Sequence, residues 1–320
     1  MASRKPFALA ALLLGVSFAA ALAWGATAGW DSEIVLSLRL PRALLAAGVG
    51  AGLAVAGTAL QALFTNPLCE PYTLGISSGA ALGSVVGAAF GLGGAIAGLA
   101  LPALGGALVF ALALNAVAAR GARRGRGVSG AGLLLAGVML QFLGASLVSL
   151  WMSLTDAQGA QAALSWLLGD LSRARLSGAL FTLAGVALFA LAIWRRSREL
   201  DALLLGEDDA ASLGVDVRRV RRRLIFATSF LVALCVSASG MVGFVGLVVP
   251  HFARRAVGPL HRRLLIMSAL GGASALLIAD LLARKLASPY ELPAGVVTGL
   301  LGAPLFLWIL VRRPAEVARG

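Results

Sequence analysis

Ten apolar runs, most of them close to 20 residues long, fill this chain of 320 residues. That feature leaves few folds open. A helix needs about 20 apolar residues to cross a bilayer core, and in lipid only helices or closed barrels satisfy their own backbone groups. Barrel strands would alternate apolar and polar residues; these runs are continuous, so helices are expected. The runs lie at about 7–25, 43–64, 74–92, 95–119, 129–154, 177–194, 224–240, 244–257, 263–286 and 294–311. The eighth is too short to cross in simple fashion. Composition agrees, with 59% hydrophobic residues, 13% charged residues and a mean hydropathy of +0.92, where a soluble domain carries about 25% charge. The expected fold class is an all-α polytopic membrane protein. No linker divides it, so one domain is expected over 1–320. The first 25 residues have a signal peptide's make-up, with Arg4 and Lys5 before an apolar run and small residues. The run from Phe7 to Trp24 is nevertheless long enough to span, and an uncleaved first helix places both termini on one side.

The net charge of +13 is no nucleic-acid signal, because the basic residues sit between apolar spans, as the positive-inside rule requires. With the N-terminus in the cytoplasm, most of them fall inside. Only Arg39, Arg42, Arg173, Arg175, Arg284 and Lys285 fall outside. The most unusual segment is a hydrophilic insert at 194–223. Leu203-Leu204-Leu205 precedes Gly206, and Glu207, Asp208 and Asp209 open a helix-like stretch that ends at Leu213-Gly214. Acid at a helix start and glycine past its end suit the dipole and the C-cap. Such an insert is either a solvated loop with topology-setting charge or a docking helix pair for a soluble protein.

Other features are plainer. Gly75, Gly79, Gly83, Gly87 and Gly91 recur every four residues, as do Gly48 with Gly52 and Gly295 with Gly299; such stripes let helix backbones approach, within the chain or between subunits. Cys69 and Cys235 read as small apolar residues. His251 suits a structural hydrogen bond better than haem ligation, His261 reads as a loop residue of no account, and no His, Cys or carboxylate cluster has metal-site spacing. Asp280 is the one carboxylate well inside a span, and such groups need a partner; Arg284 lies four residues on, on the same helix face.

Taken in order, the motifs resemble the FecCD family, permease subunits of ABC importers for iron-siderophores, haem and vitamin B12. The resemblance rests on Arg39-Leu40-Pro41-Arg42, on Gly57 and Gln61 before Asn66-Pro67-Leu68-Cys69-Glu70-Pro71, and on Leu74-Gly75-Ile76-Ser77-Ser78-Gly79-Ala80. It continues through Leu205-Gly206-Glu207-Asp208-Asp209-Ala210-Ala211-Ser212-Leu213-Gly214-Val215 to Gly243-Phe244-Val245-Gly246-Leu247-Val248-Val249-Pro250-His251 with Arg254. It closes on Asp280, Arg284, Glu291-Leu292-Pro293 and Gly302-Ala303-Pro304. Cys69 departs from the family's usual alanine. The resemblance implies ten helices per subunit and a homodimer with the pathway on its axis. It also implies two ATPase subunits below, a substrate-binding protein above, and a bacterial cytoplasmic (inner) membrane location. ATP and Mg would belong to the ATPase, since this chain has no phosphate-loop motif and its only lysines are Lys5 and Lys285. By the same resemblance the ATPase-coupling segment is about 199–217, with Leu205, Gly206, Glu207, Asp208, Asp209, Ala210, Ser212, Leu213 and Gly214 at its heart. Arg39, Arg42 and Arg284 would be rim cations that meet acidic residues of the binding protein. Gln61, Asn66 and Leu68 would lie near the cytoplasmic gate.

Two other classes fit the residues less well. An ion-coupled secondary transporter would need more intramembrane charge than Asp280 offers. A membrane enzyme would need a nucleophile with its base, a carboxylate pair or an H-E-x-x-H, and none is present. Haem is marginally preferred as cargo because the central helices are rich in Ala, Gly and Leu, although Ser146, Ser149 and Ser153 lie in the fifth span.

Overall fold

The computed structural model describes residues 5–24, 31–90, 96–123, 130–286 and 290–312. Its elements follow in chain order. The first is α1 (Lys5–Ala23). Then α2 (Ser32–Ile34) runs through a π turn at Val35–Arg39 into α3 (Leu40–Leu63). A 3-10 turn at Pro71–Leu74 leads to α4 (Ile76–Ala89), α5 (Ile96–Arg123), α6 (Gly130–Leu154), α7 (Ala157–Leu167) and α8 (Leu176–Trp194). The insert supplies α9 (Ser197–Leu203) and α10 (Glu207–Ser212), and the rest is α11 (Val217–Ser239), α12 (Val245–Val257), α13 (His261–Lys285) and α14 (Ala294–Arg312). Every apolar run expected to span contains a helix, and no strand occurs among the described residues. Among the described residues seven helices are long and apolar enough to cross a membrane, and α4 and part of α14 are shorter apolar helices. Two helices were not foreseen, the single turn α2 and α7, the latter an amphipathic segment on the loop before α8.

Buried α3 is the axis of the bundle, touching α8, α11, α12 and α13. Lipid tails are as apolar as leucine, so burial of apolar surface does not drive helices together here; close backbone packing does. Alanine and glycine dominate α3 for that reason. At Gly57 the backbone of α3 lies so close to the Gly246 carbonyl of α12 that a Cβ would overlap it. Gly79 and Gly83 of α4 meet Gly106 and Pro102 of α5 in the same manner, so this part of the glycine stripe serves packing within the chain. Gly75 is not on the stripe but caps α4 from outside with a left-handed φ of 74°. Gly91 lies outside the described residues.

Length sets the shape of α12. Thirteen residues rise only about 20 Å, against roughly 30 Å of hydrocarbon. The helix therefore starts within the bundle, after an irregular stretch at 240–244 that is covered by neighbouring helices, as irregular backbone at membrane depth must be.

Candidate functional site

The hydrophilic insert folds as two short helices that stand at one end of the bundle. Acidic Glu207, Asp208 and Asp209 form the first turn of α10, and Leu213 and then Gly214, with φ 82°, end it. Gly206 enters the helix at φ 109°. Ala210 is fully buried, whereas Leu205 and Leu213 are 61% and 66% exposed. Two large apolar side chains thus flank an acidic turn, open to whatever lies outside. Glu207 is paired with Arg221 of α11.

The insert is fastened to the bundle through His261. The expectation that this residue is an unimportant loop residue is wrong: it opens α13, is 1% exposed, and binds Asp201 of α9 twice. Asp201 Oδ1 accepts from the His261 backbone N–H at 2.9 Å and contacts ring Nδ1 at 2.7 Å. Trp194 Nε1 also donates to the Arg262 carbonyl at 3.0 Å. The carboxylate therefore caps the N-terminus of α13 from another helix. His251 lies half-buried on α12, and no group that could hold a metal ion occurs among the described residues.

At the opposite end, the three arginines expected on the rim are turned inward. Arg39, Arg42 and Arg284 are 4%, 8% and 3% exposed, so they are not the exposed cations that a rim position implies. Arg42 Nε donates to Asp280 Oδ1 at 2.9 Å and Nη1 to Glu291 Oε2 at 2.7 Å. Arg284 Nη2 lies 3.1 Å from Asp280 Oδ2, which is the helix-turn pair read from the sequence. The cations outnumber the two carboxylates, and the C-terminus of α1 makes up the difference. Arg39 Nη1 donates to the carbonyls of Leu22 and Ala23 at 3.0 and 3.1 Å, and Arg284 reaches those of Ala21 and Trp24. Those carbonyls have no acceptor role inside the helix and carry the negative end of its dipole.

Gln61 is 1% exposed and sits between α3 and α12. Pro250 has no N–H to offer the Gly246 carbonyl four residues back. Gln61 Nε2 donates to that carbonyl at 3.4 Å, and its Oε1 accepts from Arg254 at 3.0 Å. Asn66 and Leu68 lie apart from it on the turn after α3, where Asn66 Oδ1 accepts from the Leu68 N–H at 2.9 Å; Leu68 is 47% exposed. Two residues that carried no assignment close this region. Glu70 Oε1 accepts from the N–H of Phe244, the residue before α12, and the Tyr72 hydroxyl accepts from Val242. Glu70 is a second carboxylate at bundle depth, overlooked because it stands between apolar spans in sequence.

With this geometry in place, likeness to known proteins decides the family. The model of the FecCD transport family matches residues 4–312. The chain belongs to that family. It is 41% identical over 283 residues to the hemin transport system permease protein HmuU of Yersinia pestis, covering 88% of this chain and 84% of the relative. It is 43% identical over 286 residues, with the same coverages, to the vitamin B12 import system permease protein BtuC of Vibrio cholerae. A solved structure described as an inward-facing conformation of a metal-chelate type ABC transporter superposes with a TM-score of 0.88 at 32% identity, covering 97% of this chain and 100% of that one. This FecCD permease is thus a multi-pass, non-catalytic subunit of an ABC importer, in which ATP hydrolysis is carried by a separate subunit.

Proposed function

We propose that this permease moves a metal chelate into the cytoplasm by alternating access, with haem first and ferric siderophores and cobalamin as the other members of the class. It does so as a homodimer in the bacterial inner membrane, both termini inside, with two ATPase subunits below and a substrate-binding protein above. ATP and Mg belong to those ATPase subunits. The observation that carries the reading is the insert. In α10 an acidic turn lies between Leu205 and Leu213, two leucines left uncovered, and this unit is tied by Asp201 to the start of α13. Residues 203–215 are where the ATPase grips. Gln61, with Asn66 and Leu68 below it, forms the cytoplasmic gate, and the buried Arg39, Arg42 and Arg284 brace the opposite face, where the binding protein docks.

Haem is favoured over cobalamin by the apolar, small-residue character of the central helices; the relatives named for hemin and for vitamin B12 are 41% and 43% identical, too close to choose between them. An ion-coupled alternative is not favoured. Asp280 is held between Arg42 and Arg284, so this intramembrane carboxylate is committed to a fixed ion-pair cluster, and a coupling-ion site would need further intramembrane charge.

The test is reconstitution with the cognate ATPase and binding protein in liposomes. ATP-dependent uptake of hemin is expected. Deletion of Gly206–Gly214 is expected to abolish uptake and ATPase co-purification while membrane insertion continues. Full co-purification after the deletion would refute the coupling assignment, and uptake of cyanocobalamin but not hemin would refute the choice of cargo.

A further inference from the structure

A groove of about 360 Å³ opens between α3, α5, α8 and α11, at the end of the bundle away from α9 and α10. Its body is apolar, with Leu45, Leu101, Leu104, Phe181 and Leu234 among its walls. Its mouth is cationic, formed by Arg173 and Arg175. Leu101 and Phe181 are 66% and 63% exposed, so the groove lies on the perimeter of the subunit and meets whatever surrounds it there.

Three features of the mouth select an anion. The Arg175 side chain has no hydrogen-bond or ion-pair partner among the described residues. Arg173 has only Asp170, at a loose 3.8 Å, and its side chain is 59% exposed. Asp170 is itself engaged, accepting from the Ser172 N–H at 2.7 Å. Between the arginines and the groove stands the N-terminus of α8. Its first intrahelical bond is Ala179 N–H to the Arg175 carbonyl, and Arg175 supplies no side-chain cap. The N–H groups of Leu176, Ser177 and Gly178 are therefore donors without an acceptor in the helix, at the positive end of its dipole. Ser177 and Gly178 line the groove, and the space beside Gly178 is open.

A cationic mouth over an apolar channel, at the level where helices leave the hydrocarbon, has the chemistry of a phospholipid turned headgroup outward. We propose that one anionic phospholipid occupies this groove, its phosphate held by Arg173, Arg175 and the start of α8, and an acyl chain lying between Leu101, Leu104 and Phe181. A soluble phosphate would fill the mouth and leave the apolar walls uncovered; a neutral lipid would cover the walls and leave two cations uncompensated. The occupant is therefore a lipid, and an anionic one.

The experiment uses the full chain in nanodiscs of equal phosphatidylglycerol and phosphatidylcholine, with p-benzoylphenylalanine in place of Phe181. After irradiation, mass spectrometry reads the ratio of the two lipids in the adduct. A phosphatidylglycerol excess of about fivefold or more is expected, since one cation at a membrane surface favours anionic lipid by roughly that factor. The excess is expected to fall to an even ratio in the R173A/R175A background, which changes two exposed side chains. The same probe in place of Leu12 of α1, 63% exposed and remote from the groove, is expected to give an even ratio throughout. An even ratio at position 181 with both arginines present, an excess that survives R173A/R175A, or an equal excess at position 12 would each overturn the proposal.

Discussion

Asp280 is the residue on which most of the end of the bundle opposite α9 and α10 depends. It is fully buried and faces Arg42 and Arg284 at once. Removing one member of a buried ion pair costs about 3–5 kcal/mol, because the remaining charge is left without compensation. Asp280→Asn is expected to lower stability on that scale, read as a fall in the thermal midpoint of the detergent-solubilised chain. Asp280→Ala with Arg284→Ala is expected to cost less than the sum of the two single changes, since the pair is removed together; additive losses would show that they act independently. Glu291 behaves differently. Its side chain is 37% exposed while Arg42, its partner, is 10% exposed, so it covers the one side of Arg42 that an outside carboxylate could reach. If the binding protein docks there, Glu291→Gln is expected to tighten docking by at most about 1 kcal/mol, the worth of an exposed ion pair. A titration of the binding protein against both chains measures it. Only part of this cluster was legible beforehand. Asp280 and Arg284 stand one helix turn apart, so sequence spacing brings them together. Arg42 and Glu291 are separated by 249 residues, and nothing in either neighbourhood announces the other. The sequence also places Arg39, Arg42 and Arg284 at the right end of their helices without saying which way they face.

At the scale of elements, the close approach of α3 and α12 is the contact most easily spoiled. Gly57→Val would drive a branched side chain into the Gly246 carbonyl that Gln61 also binds. Overpacking of this kind costs about 1–3 kcal/mol, and here it also separates two helices joined by Gln61 and Arg254. The expected outcome is a destabilised permease with reduced uptake; unchanged melting and unchanged uptake would show that α12 moves aside freely. Apolar runs announced every long helix, because a span needs a run of that length whatever surrounds it. The brevity of α12 was legible for the same reason. Neither α7 nor the cap that Glu70 gives α12 could be read. Eleven amphipathic residues leave no mark beside 20-residue spans, and a cap borrowed from another segment depends on the assembled bundle.

For the whole molecule, orientation decides which partner meets which face. The native cysteines are buried, so an added thiol can be read alone. Ala211 is exposed on α10. In the Ala211→Cys chain, a membrane-impermeant maleimide is expected to label inverted vesicles and spare right-side-out ones. Labelling from the outer side alone would invert the assignment of partners. Charge distribution is what carries that expected orientation, since the basic residues crowd the loops and tails on one side of the expected span path. It did not reveal that His261 belongs to the frame of the molecule, because its partner Asp201 lies 60 residues away.

The helix that begins at His261 ends at Lys285, a run of about 37 Å at 1.5 Å per residue. One tip is clamped to the hydrophilic insert by Asp201, and the other is clamped by Asp280 and Arg284 to the first and third helices. A strut fixed at both tips passes displacement along its length. A motor that tugs on the insert must therefore either tilt this strut, and with it the charged knot some thirty ångströms away, or first break the bond between Asp201 and His261.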